Sequence, residues 1–143
     1  NLLFWYLREL NKLKEEILLY KNEADLWIIK GDIKNSSGTL AVHLTGSLKH
    51  FIGAQLGNTG YVRERDKEFS DRNIPREKIL DGIDEVIAIV QKVIPSISDE
   101  RFSSEYPIEF IGQKRLVGEI LFIMYGHINY HLGQINYHRR LDV

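Results

Sequence analysis

Apolar residues return at intervals of three and four along most of the chain, the spacing of amphipathic helices rather than the alternation of strands. Leu3, Tyr6, Leu7, Leu10, Leu13 and Ile17 form the first stripe, with Arg8, Lys12, Glu15 and Glu16 largely outside it. Two polar stretches, Lys21 to Asp25 and Gly31 to Ser37, come next, and Ser36 or Ser37 offers the side-chain oxygen that caps a helix start. The second predicted helix runs to about Gly57 and turns Leu40, His43, Leu44, Ser47, His50, Phe51 and Ala54 to one side. Gly46 and Gly53 flank that face, where the lack of a side chain would let a neighbouring backbone approach closely.

A charged connection from Asn58 to Asn73 follows, and Pro75 suits the first turn of a third helix. That helix carries Ile79, Leu80, Ile83, Val86, Ile87, Val90 and Ile94 on one stripe, and Pro95 marks its end. Ser98 to Gly112 reads as irregular, with Glu105 to Ile111 partly extended. The last helix is predicted from about Lys114 to Arg140, with His138, Arg139 and Arg140 in its final turn, where positive charge suits the helix dipole. Four helices with one apolar stripe each imply an all-α fold, a four-helix bundle with long connections, spanning residues 1–143 as a single domain.

The composition narrows the chemistry. A chain of 143 residues can build a core without staples. Its 19 basic and 20 acidic residues leave a net charge of -1, which points to neither a nucleic-acid nor a membrane-surface partner. With no cysteine, disulfides, thiolate ligands and a cysteine nucleophile are excluded, and any metal must use histidine, carboxylate, carbonyl or water. No apolar run approaches the ~20 residues that span a bilayer. The opening Leu2 to Leu7 lacks a basic leader and a small-residue cleavage site, so a cytoplasmic protein is expected.

The last helix carries the informative pair. His127 and His131 lie four residues apart, on one face and ~6 Å apart along the axis. The rest of that face is apolar: Val117, Ile120, Leu121, Met124, Ile128 and Ile135. Buried imidazoles need partners, and a shared metal ion is one that suits this spacing. A third histidine from the second helix, His43 or His50, would leave coordination positions open for water or substrate. The two are two turns apart on one face, so only one can join the pair, and periodicity does not choose between them. His138 stands two turns beyond His131, about 10.5 Å along the axis, and reads as a helix-end cation.

Other site patterns are missing. The helical zinc-protease motif needs a glutamate after the first histidine, where this chain has Ile128. Glu-x-x-His pairs of di-iron bundles do not occur. Gly53, Gly57 and Gly60 lack the Gly-Lys-Ser/Thr of a phosphate loop, and no nucleophile elbow supports a serine triad.

His127-x-x-x-His131-x-Gly133-Gln134-Ile135 resembles the signature of the DinB-like (YfiT-like) metalloenzyme family, and Leu40-Ala41-Val42-His43-Leu44-Thr45-Gly46-Ser47-Leu48 is similar to that family's second-helix segment, with Ser47 where asparagine is usual. Leu26-Trp27 and Asn35-Ser36 also resemble the family's lead-in to that helix. The resemblance implies a four-helix bundle of the DinB/YfiT-like type. It also implies one divalent metal ion held by His43, His127 and His131, zinc or nickel ahead of manganese or iron. His50 then becomes a pocket residue at best, while Gly133 and Gln134 become packing or ligand-orienting positions. The implied activity is activation of an external low-molecular-weight thiol, as in S-transferases, or of water, as in a hydrolase, with a small-molecule substrate.

The chain shows no general base beside the pair. Glu119 falls on the opposite side of its helix, and Asn129 and Tyr130 face outward. The competing expectation is therefore a non-catalytic bundle, a binding or dimerisation module with vestigial histidines. Phe4-Trp5-Tyr6 offers apolar surface for a homodimer, or simple packing within the first helix.

Overall fold

The first stripe becomes the inner face of α1 (Leu2–Leu19), with Tyr6, Leu10, Leu13 and Ile17 fully buried. The structure is a computed structural model that describes residues 1–141; the last two residues of the expected 1–143 domain lie outside the described residues. A single 3-10 helix, Glu23–Trp27, occupies the polar stretch after α1.

Ser36 is the N-cap of α2 (Ser37–Leu48), its hydroxyl oxygen accepting from the Thr39 amide at 3.2 Å. The helix continues through a π-helical segment, Lys49–Ala54, into α3 (Gln55–Gly57), and Asn58 ends it in the left-handed region at φ 50°. The predicted end at Gly57 is thus met, but the apolar pattern does not announce the π-helical segment. Its cause lies in the apolar spacing all the same. Leu40, Leu44, Leu48, Ile52 and Leu56 are all buried and each four residues apart. In a straight α-helix every such step overshoots one turn by about 40°. The wider i→i+5 turns take up the drift and keep the row facing the core.

The charged connection contains α4 (Arg65–Ser70), which periodicity missed because one turn and a half shows no stripe. Its buried residue is Glu68, a charged one. α5 (Arg76–Val93) buries Ile79, Ile83, Val86, Val90 and Val93. Pro75 sits one place before its first turn, in extended conformation, and its carbonyl accepts from Lys78 and Ile79 at 2.9 and 3.2 Å. Pro95 lies inside a closing 3-10 turn, Ile94–Ser96.

The stretch expected to be irregular holds α6 (Asp99–Phe102), capped by Ser98, and isolated antiparallel bridges pair Glu105 with Leu116 and Phe110 with Gln113. Those pairings delay the last helix: α7 (Val117–Arg140) starts after the predicted Lys114 because Arg115 accepts from Tyr106 at 2.8 Å and Val117 donates to Ser104 at 2.9 Å. Glu119 accepts from the Leu116 amide at 2.9 Å, so it caps α7 rather than serving a site.

α1 and α2 each pack against both α5 and α7, which closes the bundle. α1 runs parallel to α7: Tyr6 donates to the Leu121 carbonyl near their starts, and Glu16 meets Asn136 and Arg139 near their ends. α2 runs antiparallel to α7, with Ser47 against Met124 and His43 beside His127 and His131. The glycines on α2 face side chains rather than a neighbouring backbone. A Cβ at Gly46 would lie 2.0 Å from Glu68 Oε2, and one at Gly53 3.3 Å from Ile89. Among the described residues no helix is long and apolar enough to cross a membrane.

Candidate metal centre

The antiparallel crossing of α2 and α7 sets the His43 ring against the turn between His127 and His131. Ring centroids are 5.1 Å apart for His43 and His127, 5.3 Å for His43 and His131, and 4.5 Å for His127 and His131. One ring nitrogen from each lies within 4.8 Å of the others. His43 and His131 are each 8% exposed.

Two of the rings are oriented from behind. His131 Nδ1 donates to Gln134 Oε1 at 2.7 Å, a bond within one turn of α7 that leaves Nε2 for the cluster. His43 Nδ1 lies 3.1 Å from Glu68 Oε1, which likewise leaves its Nε2 free. His127 Nε2 is buried and has no hydrogen-bond partner among the described residues. Leaving such a group unpaired costs about 1–3 kcal/mol, and an ion between the rings would satisfy it. Three convergent imidazole nitrogens, one of them orphaned, fit a divalent metal ion.

Burial, then the neighbouring His131 and His43, lower the His127 pKa to about 4. Burial is also the main cause that lowers His131, with His43 adding to it and Gln134 opposing. Both rings are therefore neutral near pH 7 and carry the lone pair a metal requires.

Glu68 is the residue the sequence did not single out. It is 5% exposed, and Arg63 grips both its oxygens, Nε to Oε2 at 2.9 Å and Nη2 to Oε1 at 3.0 Å. Burial alone would raise its pKa, but the hydrogen bonds from His43 and Arg63 outweigh this and hold it below the usual carboxylate range. Phe69 follows on the same short helix, its ring 4.6 Å from that of His43. A carboxylate behind a histidine is an arrangement that fixes the ring of a metal ligand. The signal available in the sequence was Gly46, one turn beyond His43 on α2, where the absent side chain leaves room for the carboxylate.

The remaining histidines stand apart. His50 lies in the π-helical segment, half-buried and edge-on to Phe51 at 4.7 Å, outside the cluster. His138 is a tie between elements and not simply a helix-end charge. Its Nε2 donates to the Ile28 carbonyl at 2.7 Å, and its Nδ1 is 2.6 Å from the hydroxyl of Tyr20, whose pKa burial pushes up to about 12. A cavity of about 380 Å³ opens beside it, lined by Tyr20, Ile28 and Arg139 among others, and does not reach the cluster. Tyr130 is exposed, as expected.

A helical bundle with these histidines on its second and last long helices has the fold of the DinB-like proteins. The crystal structure of a DinB-like protein from Bacillus cereus ATCC 10987 matches with a TM-score of 0.74 at 18% sequence identity, over 98% of this chain and 89% of that one. The chain belongs to the family described as "Protein of unknown function (DUF1572)", whose family model matches residues 4–141. No curated protein matches the chain.

Proposed function

We propose that the protein is a divalent-metal-dependent enzyme in which His43, His127 and His131 hold one ion and the nucleophile is an external low-molecular-weight thiol or a water. The observation that carries this reading is the orphaned His127 Nε2, buried among two imidazoles whose other nitrogens are already engaged. Three protein ligands leave further coordination positions for a reactant. When bound, the ion supplies Lewis acidity that brings the pKa of a thiol or water down toward neutrality.

The chain's own residues shape what this chemistry can be. There is no cysteine, so a thiol nucleophile must come from outside. Neutral imidazoles as the only ligands leave the ion's charge uncompensated, which favours an anionic nucleophile. Glu68 is held on both oxygens by Arg63 and on one by His43, so it is a poor proton acceptor for the reaction. The proton then leaves through solvent or the reactants. A cytoplasmic setting, where small thiols stay reduced, suits the transferase form of this reading.

Metal content tests it. Protein purified without chelator, with zinc, nickel and manganese supplied, should contain about one divalent ion per chain, and His127→Ala should remove it with the bundle still folded. Conversion of an electrophilic substrate only when a small thiol is added identifies the transferase, and conversion without it the hydrolase. Protein that stays metal-free with all three ions present overturns the proposal. The commitment of Glu68 favours a second reading, a non-catalytic or dimerising bundle. Metal-loaded protein inert toward both classes of substrate would select it.

A further inference from the structure

We infer that Glu68, clamped by Arg63 and seated in the space left by Gly46, is a positioning residue that holds His43 with its proton on Nδ1 and its Nε2 turned into the histidine cluster. The inference rests on the proposed metal site for its purpose, but its geometry stands without an ion. Three observations converge. Glu68 is the buried residue of α4, a helix too short to be held by a stripe of its own. Its carboxylate meets the His43 ring at Nδ1, which leaves Nε2 as the uncommitted nitrogen of that ring. And α2 gives up a side chain where that carboxylate lies, since a Cβ at position 46 would fall 2.0 Å from Oε2 and 2.6 Å from the carboxyl carbon.

The clamp explains why the carboxylate stays. Glu68 could swing its end away from any intruding atom at little cost to the fold, but the two bonds from Arg63 fix it toward His43. Arg63 is itself placed by the Phe51 ring, 5.7 Å from its guanidinium carbon. A carboxylate so fixed accepts a hydrogen bond from Nδ1–H and has no proton to offer. At 3.1 Å it stands closer to Nδ1 than the Arg63 Nη2 donor at 3.5 Å, which selects one tautomer of His43. The connection between α3 and α5 thus carries Arg63, Glu68 and Phe69 to the back of one ring. His131 needs no such help, because Gln134 on its own helix holds its Nδ1 in the same way.

The test begins with metal-free protein. Imidazole ¹⁵N spectra at pH 8 should show His43 as the Nδ1–H tautomer in the wild type. Glu68→Ala and Gly46→Ala should each lose that preference, and Glu68→Gln, which keeps an oxygen in place, should retain it. The second measurement is zinc titration against a chromophoric chelator. Glu68→Ala and Gly46→Ala should each weaken zinc by about 10–100-fold, the usual cost of losing a partner behind a metal ligand. The double variant should bind no more weakly than the worse single one, because both changes remove one contact. If Glu68→Ala does not fold, Gly46→Ala carries the test, since it displaces a side-chain end rather than backbone. An Nε2–H tautomer in the wild type, or variants within twofold of wild type in zinc affinity with the tautomer unchanged, overturns the inference. Wild-type protein with the Nδ1–H form that takes up none of zinc, nickel and manganese instead overturns the metal reading and supports the positioning role.

Discussion

At the scale of single residues, His127 and Ile128 are neighbours with opposite relations to the fold. Ile128 is fully buried, and Ile128→Ala should cost about 2–5 kcal/mol. His127 buries a nitrogen that nothing among the described residues satisfies. In metal-free protein the loss of its packing is offset by removal of that unpaired group, so His127→Ala should fall within about 1 kcal/mol of wild type. Urea unfolding of both variants in chelator measures the contrast, and equal losses would mean that His127 Nε2 has a partner. Gly46 is a comparable case. An interior glycine costs a helix roughly 1 kcal/mol relative to alanine, and here the open space is filled by a carboxylate.

At the scale of elements, α1 and α7 are joined near their C-terminal ends by Glu16, which accepts from Asn136 at 2.6 Å and from Arg139 at 2.5 Å. Burial opposes its ionisation, but these bonds and the Arg139 charge outweigh it and lower its pKa. A depressed carboxylate means the unfolded chain binds the proton more readily, so stability rises with pH through the transition. The contribution of Glu16 is complete above the unfolded value of about 4.3 and is lost as pH falls through the lower folded one. Glu16→Gln should flatten this part of the acid limb of a stability-pH curve; an unchanged limb would show that the clasp does not hold in solution.

The long helices were legible in the sequence because each carries a stripe long enough to repeat, as Ile79 to Val90 does. α4 was not, because Glu68 is held by Arg63 and His43 rather than by periodicity. The start of α7 was misplaced for the same reason: Arg115 and Leu116 are committed to partners in a distant loop. Spacing marked His127 and His131 as a pair, but it could not choose between His43 and His50. The resemblance to the DinB-like family singled out His43, and the fold brings that ring, not His50, to the pair. Which chain segment stands behind His43 is a tertiary fact that no local pattern encodes.

At the scale of the whole molecule, the bundle has a core that does not depend on the histidines: Leu10, Leu13, Leu44, Ile83, Val86 and Ile120 are all fully buried. Metal binding should therefore add to stability without being needed for folding. At a free ion concentration of 100 times Kd the gain is about 2.7 kcal/mol. Chelation should lower the Tm while the far-UV circular dichroism at 20 °C stays helical, and His127→Ala should show no metal-dependent shift. Collapse of the helical signal on chelation would place the ion among the folding determinants.

The π-helical segment at Lys49–Ala54 divides α2 from α3 into two stretches that are anchored separately. Before it stand His43 and its neighbours on α7; at and beyond it the Phe51 carbonyl accepts from Tyr106 at 2.6 Å and the Leu56 carbonyl from Arg101 at 2.9 Å. Rewinding all six residues as ordinary α-helix would turn one stretch against the other by about 100°. The histidine side and the Tyr106 side could then not both keep their partners. The chain is thus tuned to its residue count in this segment as much as to its residue types. A one-residue deletion within it lets ordinary helical winding span about the same total turn, and should lower the Tm less than a one-residue deletion in α2 ahead of it.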